Sequence, residues 1–532
     1  MMNIFYERSK KGNLDMQNRS PLRLTLIVSL GGFLFGFDAS VISGAIVYLD
    51  ATFELNSIAM GWVVSAPSFS AMFAMLAAGV TSDRIGRKKT LQLVAFCFVI
   101  SAFLSAISQD IGSLVAARML GGVAFGGALV IVPVYISEIS PAQQRGRLVS
   151  IQQMNIVVGF LAAYFSNYFV GVYLSQSISM NNIWRWMLAV ELLPAMIYVG
   201  LLPKIPESPV WLKSQGGLTN QRGQGNANNT AFKIGQSDYN SLNSWLMDQK
   251  KHFSLLWSPR WRQIFLVAIF LGVLQQITGI NAIFFYATSI FEGTGIGIDA
   301  SLAQTVAVGI INIIFTLVAY LTIDRFGRRY LLLWGLVGIV ISMSITAYGF
   351  ANTKYRLTEE ILANYEEQFV NQPSTEIFQK MLVFSYDTES AFVKDLTQAL
   401  EQISWGEVDG DSETIRMDIY HGILRESKQL NHYLILIGIL GFIASFACSL
   451  GPVMWVVLSE IFPTYLRGIG ISIVGFLNSL TSWVTQFVFP IELNLFGDGF
   501  TYALFAGIAA IGWVVLYIYL PETKGELLQK SF

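Results

Sequence analysis

Apolar runs of about twenty residues or more, separated by short polar stretches, recur along the whole chain. Twelve can be delimited, at approximately 23–47, 58–82, 90–109, 113–136, 148–172, 184–203, 262–290, 302–323, 330–350, 433–461, 467–490 and 499–520. Each is long enough to cross the hydrocarbon core of a bilayer as a helix. The pattern predicts an all-α, multi-pass membrane protein. Composition strengthens this: 53% of the 532 residues are hydrophobic and 13% charged, roughly half the charged fraction usual in soluble domains. The first run is full length with no small-residue cleavage site behind it, so it is expected to be a retained helix rather than a signal peptide.

Lysine and arginine placement predicts the orientation. Arg8, Lys10, Lys11, Arg19 and Arg23 precede or open the first span; Arg84, Arg87, Lys88 and Lys89 join the second to the third; Arg325, Arg328 and Arg329 join the eighth to the ninth. Connections 48–57, 173–183, 291–301 and 491–498 contain neither residue. Both termini are therefore expected in the cytoplasm, with the chain in a plasma or inner membrane. The expected divisions are a cytoplasmic N-terminal segment, 1–22; a first six-span bundle, 23–203; a cytoplasmic linker, 204–261; a second bundle, 262–520; and a cytoplasmic tail, 521–532. The linker is rich in Gly, Asn and Gln from Gln215 to Asn229, a flexible composition. The second bundle is interrupted at 351–432 by an acidic insert expected outside, with 15 Asp and Glu against 7 Lys and Arg. Apolar residues at three- and four-residue spacing in Thr358–Val370, Glu389–Ile403 and Thr414–Leu430 predict a small helical cap, whose partner the sequence does not name.

An internal repeat predicts that the two bundles are one module used twice. Asp83-Arg84-Ile85-Gly86-Arg87 returns as Asp324-Arg325-Phe326-Gly327-Arg328, 241 residues later. Ser137-Glu138-Ile139 with Pro141 and Arg145-Gly146 returns as Ser459-Glu460-Ile461 with Pro463 and Arg467-Gly468, 322 residues later. The growth in offset matches the length of the insert. Pro206-Glu207-Ser208 and Pro521-Glu522-Thr523 close the halves.

Charges inside the spans are candidates for function. Asp38 lies near the middle of the first span, where a carboxylate is costly and usually marks an ion, proton or substrate path. Arg118 is the basic residue placed to partner it, among Gly121, Gly122, Gly126 and Gly127, which allow close helix approach. A static ion pair between the first and fourth spans is the plainer alternative. Gln275, Gln276 and Asn281 crowd three amides into the seventh span, with Gly279 placed to loosen the helix between them. Amides both donate and accept hydrogen bonds, as a neutral polar solute requires, although they also serve as interhelical hydrogen-bond glue. Cys97 and Cys448 lie within apolar runs and His252, His421 and His432 outside the spans, so no disulfide framework or metal site is expected. No phosphate-binding loop of the Gly-x-x-x-x-Gly-Lys-[Ser/Thr] type occurs, and no nucleophile is paired with a base. The expectations are no cofactor, no nucleic-acid partner and no enzymatic activity.

Gly79-Val-Thr-Ser-Asp83-Arg84-Ile-Gly86-Arg87-Lys88, Pro206-Glu-Ser-Pro-Val-Trp-Leu212, Gln275-Gln-Ile-Thr-Gly-Ile-Asn281 and Pro521-Glu-Thr-Lys-Gly525, in this order and in these loops, resemble the sugar porter family of the major facilitator superfamily. The likeness covers nearly all of the chain outside the first 20 residues, the linker core and the insert. It implies two pseudo-symmetric six-helix bundles around a central cavity that opens alternately to either side. It further implies import of a hexose, pentose or cyclitol by proton symport, with Asp38 as proton acceptor and Arg118 as the group biasing its protonation. Gln153, Gln275, Gln276, Asn281, Asn312, Trp455 and Asn478 match sugar-binding positions. Asp83, Arg87, Glu138, Arg145 and Glu207, with Asp324, Arg328, Glu460, Arg467 and Glu522, match a cytoplasmic network expected to pair across the seam between halves and latch the outward-facing state. The chain departs from the pattern at Asn478-Ser479, where many relatives carry an Asn-Trp or Gln-Trp pair; the nearest tryptophan is Trp483. Met454 stands where facilitative glucose carriers often have proline. A facilitative uniporter and a nontransporting sugar sensor are the alternatives.

Overall fold

The computed structural model describes residues 20–141, 143–175, 177–179, 182–212, 254–366, 376–386, 389–401, 419–420, 422–424 and 426–524. The N-terminal basic residues, the linker core and the last eight residues lie outside the described residues. Among the described residues, twelve helices long and apolar enough to cross a membrane follow one another: α1 (Pro21–Phe53), α2 (Ser57–Ile85), α3 (Arg87–Ile107), α4 (Ile111–Ile139), α5 (Arg145–Leu174), α6 (Ile183–Lys204), α7 (Arg262–Phe285), α8 (Ile298–Phe326), α9 (Arg328–Ala351), α10 (His432–Ile461), α11 (Leu466–Phe496) and α12 (Asp498–Tyr519). They match the spans expected from hydropathy to within a few residues at most ends; α7 ends at Phe285 rather than at 290, and α1 and α11 each run six residues further than expected. The arrangement is two pseudo-symmetric bundles of six.

Local chemistry sets the boundaries. The Asn56 side chain accepts from Ala59 N at 2.8 Å at the start of α2, and Asp110 accepts from Ser113 N at 2.9 Å at the start of α4, each satisfying an orphan amide of the first turn. Between α2 and α3, Gly86 has φ 96°, and between α8 and α9, Gly327 has φ 90°, a conformation that favours glycine. The repeated Asp-Arg-x-Gly-Arg sequence is thus the same tight turn made twice. Inside the first bundle, α1 and α5 touch backbone to backbone: a Cβ at Gly36 would strike the Ile156 carbonyl, and one at Gly159 the Phe33 carbonyl.

The insert folds around its own core of Tyr355, Leu357, Phe378, Met381, Phe392, Leu396 and Ile423. Helices Glu359–Glu366, Glu376–Val383 and Glu389–Glu401 surround it. Two correspond to expected helices; Glu376–Val383 is an addition. Of the expected helix over Thr414–Leu430, residues 419–420, 422–424 and 426 are helical, 414–418, 421 and 425 lie outside the described residues, and the end is instead a strand, Lys428–Gln429, paired antiparallel with Lys354–Tyr355. This pairing ties the exit of α9 to the entry of α10, so the insert is pinned at its root. Tyr386 donates to Asp395 Oδ2 at 2.7 Å and Lys380 Nζ lies 3.0 Å from the same oxygen.

The Tyr386 hydroxyl and Lys380 hold the Asp395 carboxyl below the usual carboxylate range. A depressed native value stabilises the fold above the unfolded pKa of about 3.9, and that contribution disappears as pH falls through the native value. Acidification from neutral pH to about 3 should therefore loosen the insert, read as lost hydrogen-exchange protection after correction for intrinsic exchange. Asp395→Asn should lower protection at neutral pH and flatten this dependence; an unchanged pH profile in the variant would rule out the assignment.

Candidate functional site

Asp38 sits in the middle of α1 and Arg118 in the second turn of α4. Their side chains are 3% and 2% exposed, with Arg118 Nη1 3.7 Å from Asp38 Oδ1. The guanidinium also donates from Nε to the Val63 carbonyl of α2 at 3.0 Å. Gly121 makes room, since a Cβ there would meet Ser101 Oγ at 2.7 Å and Asp38 Oδ2 at 3.4 Å. A third charged residue joins them. Glu191 of α6 is buried and its carboxyl faces that of Asp38. It lies where α6 breaks between Ile183–Ala189 and Leu192–Leu201: Pro194 lacks the amide that would bond to the Val190 carbonyl. Asp38 Oδ2 and Glu191 Oε1 accept no hydrogen bond from any other described group. Sequence reasoning overlooked Glu191, although the criterion that selected Asp38, a carboxylate inside an apolar span, applies to it equally. Two carboxyls and one guanidinium form a neutral set when they share one proton.

The amides gather in the other bundle. The α7 helix stops at Ile277 and restarts at Ile280, with Gly279 at φ 89°, as the glycine between the amides predicts. Gln275 Nε2 donates to the Leu450 and Gly451 carbonyls at 2.8 and 3.3 Å, just past the break in α10 at Ser449. Gln276 Nε2 donates to Gln275 Oε1 and Asn478 Oδ1, both at 3.2 Å. Asn478 Nδ2 returns a bond to Gln275 Oε1 at 2.8 Å, and Asn281 Nδ2 donates to Gln276 Oε1 at 2.8 Å and Ser482 Oγ at 2.7 Å. These groups satisfy one another, as buried amides must.

Gln153 and Trp455 are elsewhere, lining a cavity of about 600 Å³ with Ser150, Tyr320 and Pro452 that reaches Arg147 and Asp324 at the linker end of the bundle. Pro452 of the cavity wall directly follows the carbonyls held by Gln275. Asn312 is buried in α8 and receives a bond from Thr316 Oγ1 at 3.5 Å; no hydrogen bond joins it to the cluster among the described residues. Trp483 packs against Trp62 and Phe69 of α2, at centroid distances of 6.1 and 5.1 Å, in a ring cluster that seals the α2–α11 seam toward the insert end. Ser43 with Thr288 at 3.1 Å and Tyr164 with the Phe284 carbonyl at 2.7 Å close the other seam on the same side.

The charged network differs from expectation. Arg87 pairs with Asp83 at 2.6 Å and Glu138 at 3.0 Å, and Arg328 with Asp324 at 3.1 Å and Glu460 at 3.0 Å. Each set closes within its own half, and no ion pair crosses the seam among the described residues. The reason is geometric, because the cavity opens between the halves at this end. Arg145 and Arg467 enter no ion pair among the described residues, and a Cβ at the neighbouring Gly146 or Gly468 would meet nothing within 4 Å. Glu207 accepts from Lys88 N at 3.1 Å, and Glu522 from Arg328 N and Arg329 N at 2.9 and 3.1 Å. These carboxylates cap the N-termini of α3 and α9, where the helix dipole favours an anion.

Residues 24–362 and 415–531 match the Sugar (and other) transporter family. The chain belongs to this family. The transporter is 32% identical over 531 residues to the glucose transport protein of Synechocystis, covering 97% of this chain and 98% of that protein. It is 29% identical over 543 residues to the D-xylose-proton symporter of Escherichia coli, covering 95% and 94%. The inward-open structure of the xylose transporter XylE from E. coli superposes with a TM-score of 0.67 at 26% identity, covering 95% of this chain and 98% of that one. The unmatched residues 363–414 fall inside the insert. The protein is a multi-pass membrane transporter of the major facilitator fold and not an enzyme.

Removing the cation from a buried ion cluster leaves its carboxyls uncompensated, at a cost of about 3–5 kcal/mol. Arg118→Leu should accordingly lower the melting temperature in detergent sharply. Adding Asp38→Asn to Arg118→Leu should recover much of the loss; additive destabilisation by the two changes would show that they are energetically independent.

Proposed function

We propose that the transporter carries a monosaccharide together with a proton, inward, by alternating access. The observation that carries this reading is the buried Asp38–Arg118–Glu191 set, with two carboxyl oxygens left without other partners at membrane depth. A static brace needs one carboxyl for one guanidinium; the second carboxyl here gives the set a group that can take up and release a proton. Protonation of Asp38 weakens its hold on Arg118 and frees α1 from α4 and α6, whereas deprotonation restores it. The relatives named for proton symport of xylose support the same chemistry, and their sugars suggest a pentose or hexose as substrate.

The sugar is held by Gln275, Gln276, Asn281 and Asn478 on one side and by Gln153 and Trp455 of the adjoining cavity on the other. Hydroxyls replace the amide-to-amide bonds that fill the empty site, which offsets the cost of stripping water from the sugar, and the exposed indole face of Trp455 offers stacking. Asn312 has a positioning role through Thr316. The linker end is cytoplasmic and the insert faces outside, as the lysine and arginine placement indicates. The conformation is then inward-facing, which explains why the charged network is split: Asp83, Arg87, Glu138, Arg145 and Glu207 and their counterparts Asp324, Arg328, Glu460, Arg467 and Glu522 draw together across the seam only when the halves rock to face outward. Exposed pairs contribute little singly, so the latch depends on the set.

Uptake of labelled D-glucose, D-xylose and L-arabinose into proteoliposomes tests the reading. With one proton per sugar, a gradient of one pH unit, acid outside, should drive accumulation of up to about tenfold. Asp38→Asn should abolish accumulation and retain exchange of sugar across the membrane. Accumulation that persists in this variant would place coupling elsewhere, and its absence in the wild type would leave a facilitative carrier.

A further inference from the structure

We propose that Gln486 of α11, outside the set of sugar ligands, is a positioning residue that reports occupancy of the amide cluster to the α2–α11 seam on the opposite half of the molecule. The inference rests on the sugar-binding reading above. Gln486 is fully buried. Its Nε2 donates to Ser482 Oγ at 2.7 Å and its Oε1 accepts from Ser68 Oγ of α2 at 3.0 Å. Ser482 Oγ in turn accepts from Asn281 Nδ2, the amide that also holds Gln276. An unbroken chain of side chains therefore runs from the cluster in the second bundle to α2 in the first.

The valences make this chain sensitive to a ligand. Two donors fill the two lone pairs of the Ser482 oxygen, leaving its own proton as the one free valence. A sugar hydroxyl that takes the Asn281 amide, or that accepts the Ser482 proton, changes what Ser482 can offer Gln486. Gln486 has no slack, since both ends of its amide are engaged and its backbone carbonyl accepts from Tyr286 Oη at 3.1 Å. A change at Ser482 must be answered at Ser68, the end that crosses the seam. The surrounding contact is close: a Cβ at Gly61 of α2 would lie 2.6 Å from the Phe487 carbonyl, so small movements of the Gln486 turn decide whether α2 and α11 can stay together. Polar chains of this kind strengthen cooperatively in a low dielectric.

Spin labels at Ile58→Cys and Leu495→Cys, exposed positions at the insert ends of α2 and α11, in a Cys97→Ser/Cys448→Ser background, read the seam by pulsed electron resonance. D-glucose, D-xylose and L-arabinose are the probes, with binding followed by calorimetry on the same samples. In the wild-type background, a bound sugar should shift the balance between near and far distances. In Gln486→Leu the sugar should still bind and the shift should fall by at least roughly fivefold, as expected for one lost buried hydrogen bond. Ser68→Ala, which leaves Gln486 and the cluster in place, should give the same loss of response. A shift of wild-type size in either variant overturns the proposal. Loss of binding in Gln486→Leu also overturns it, since Gln486 would then be a ligand. A bound sugar that leaves the wild-type distances unmoved excludes the link. Failure of all three sugars to bind the wild type rejects the sugar-binding reading itself.

Discussion

The structure is organised by the cost of placing charge where no water reaches. Asp38, Arg118 and Glu191 come from α1, α4 and α6, and an ionised carboxyl cannot part from the guanidinium without leaving a bare charge in a low-dielectric interior. Glycine makes this affordable in space. A Cβ at Gly122 would collide with the Pro67 carbonyl, and one at Gly126 would lie 2.6 Å from the Ala71 carbonyl, so α2 and α4 pack at backbone distance. That approach brings the Val63 carbonyl to Arg118. The same sequence Gly-Gly-x-x-x-Gly-Gly thus supplies both the packing and the cavity for the ions.

The halves repeat one module and divide the chemistry between them. The buried ion set sits in the first bundle, and the clustered amides in the second. Where the halves agree in detail, the agreement is structural: Gly86 with Glu207 and Gly327 with Glu522 build the same turn and the same helix cap.

Much of this was legible in the sequence because membrane helices obey a one-dimensional rule: apolar length, punctuated by charge. The twelve spans, the break at Gly279, and the nearness of Asp38 to Arg118 follow from that rule. What escaped it depends on rotation about helix axes, which hydropathy does not encode. Glu191 was equally visible as a carboxylate in an apolar span, but its partners are set by the kink before Pro194. Ser482 and Gln486 looked like ordinary polar residues of α11, and only the α2–α11 packing shows them to be linked to Ser68 and Asn281. The split of the charged network is a property of conformation, and a single sequence is compatible with both arrangements. In the insert, the strand Lys428–Gln429 was hidden because two residues carry no periodicity.

Breaks in the helices gather at the functional residues, and this follows from the same economy of polar groups. At membrane depth an unpaired carbonyl is tolerated only where protein or a polar cavity can satisfy it. The α6 break places Glu191 against Asp38; the α7 break at Thr278–Gly279 lies between Gln276 and Asn281; and the α10 break at Ser449 lies beside the Leu450 and Gly451 carbonyls that Gln275 takes. Ser29, where α1 is interrupted, receives Asn155 Nδ2 of α5 at 2.5 Å. Each interruption therefore comes with a side-chain donor or an ion set close by, so the sites themselves stabilise the bends. A ligand that competed for those donors would weaken the support of a bend, and a bend is the place at which a rigid helix can change direction.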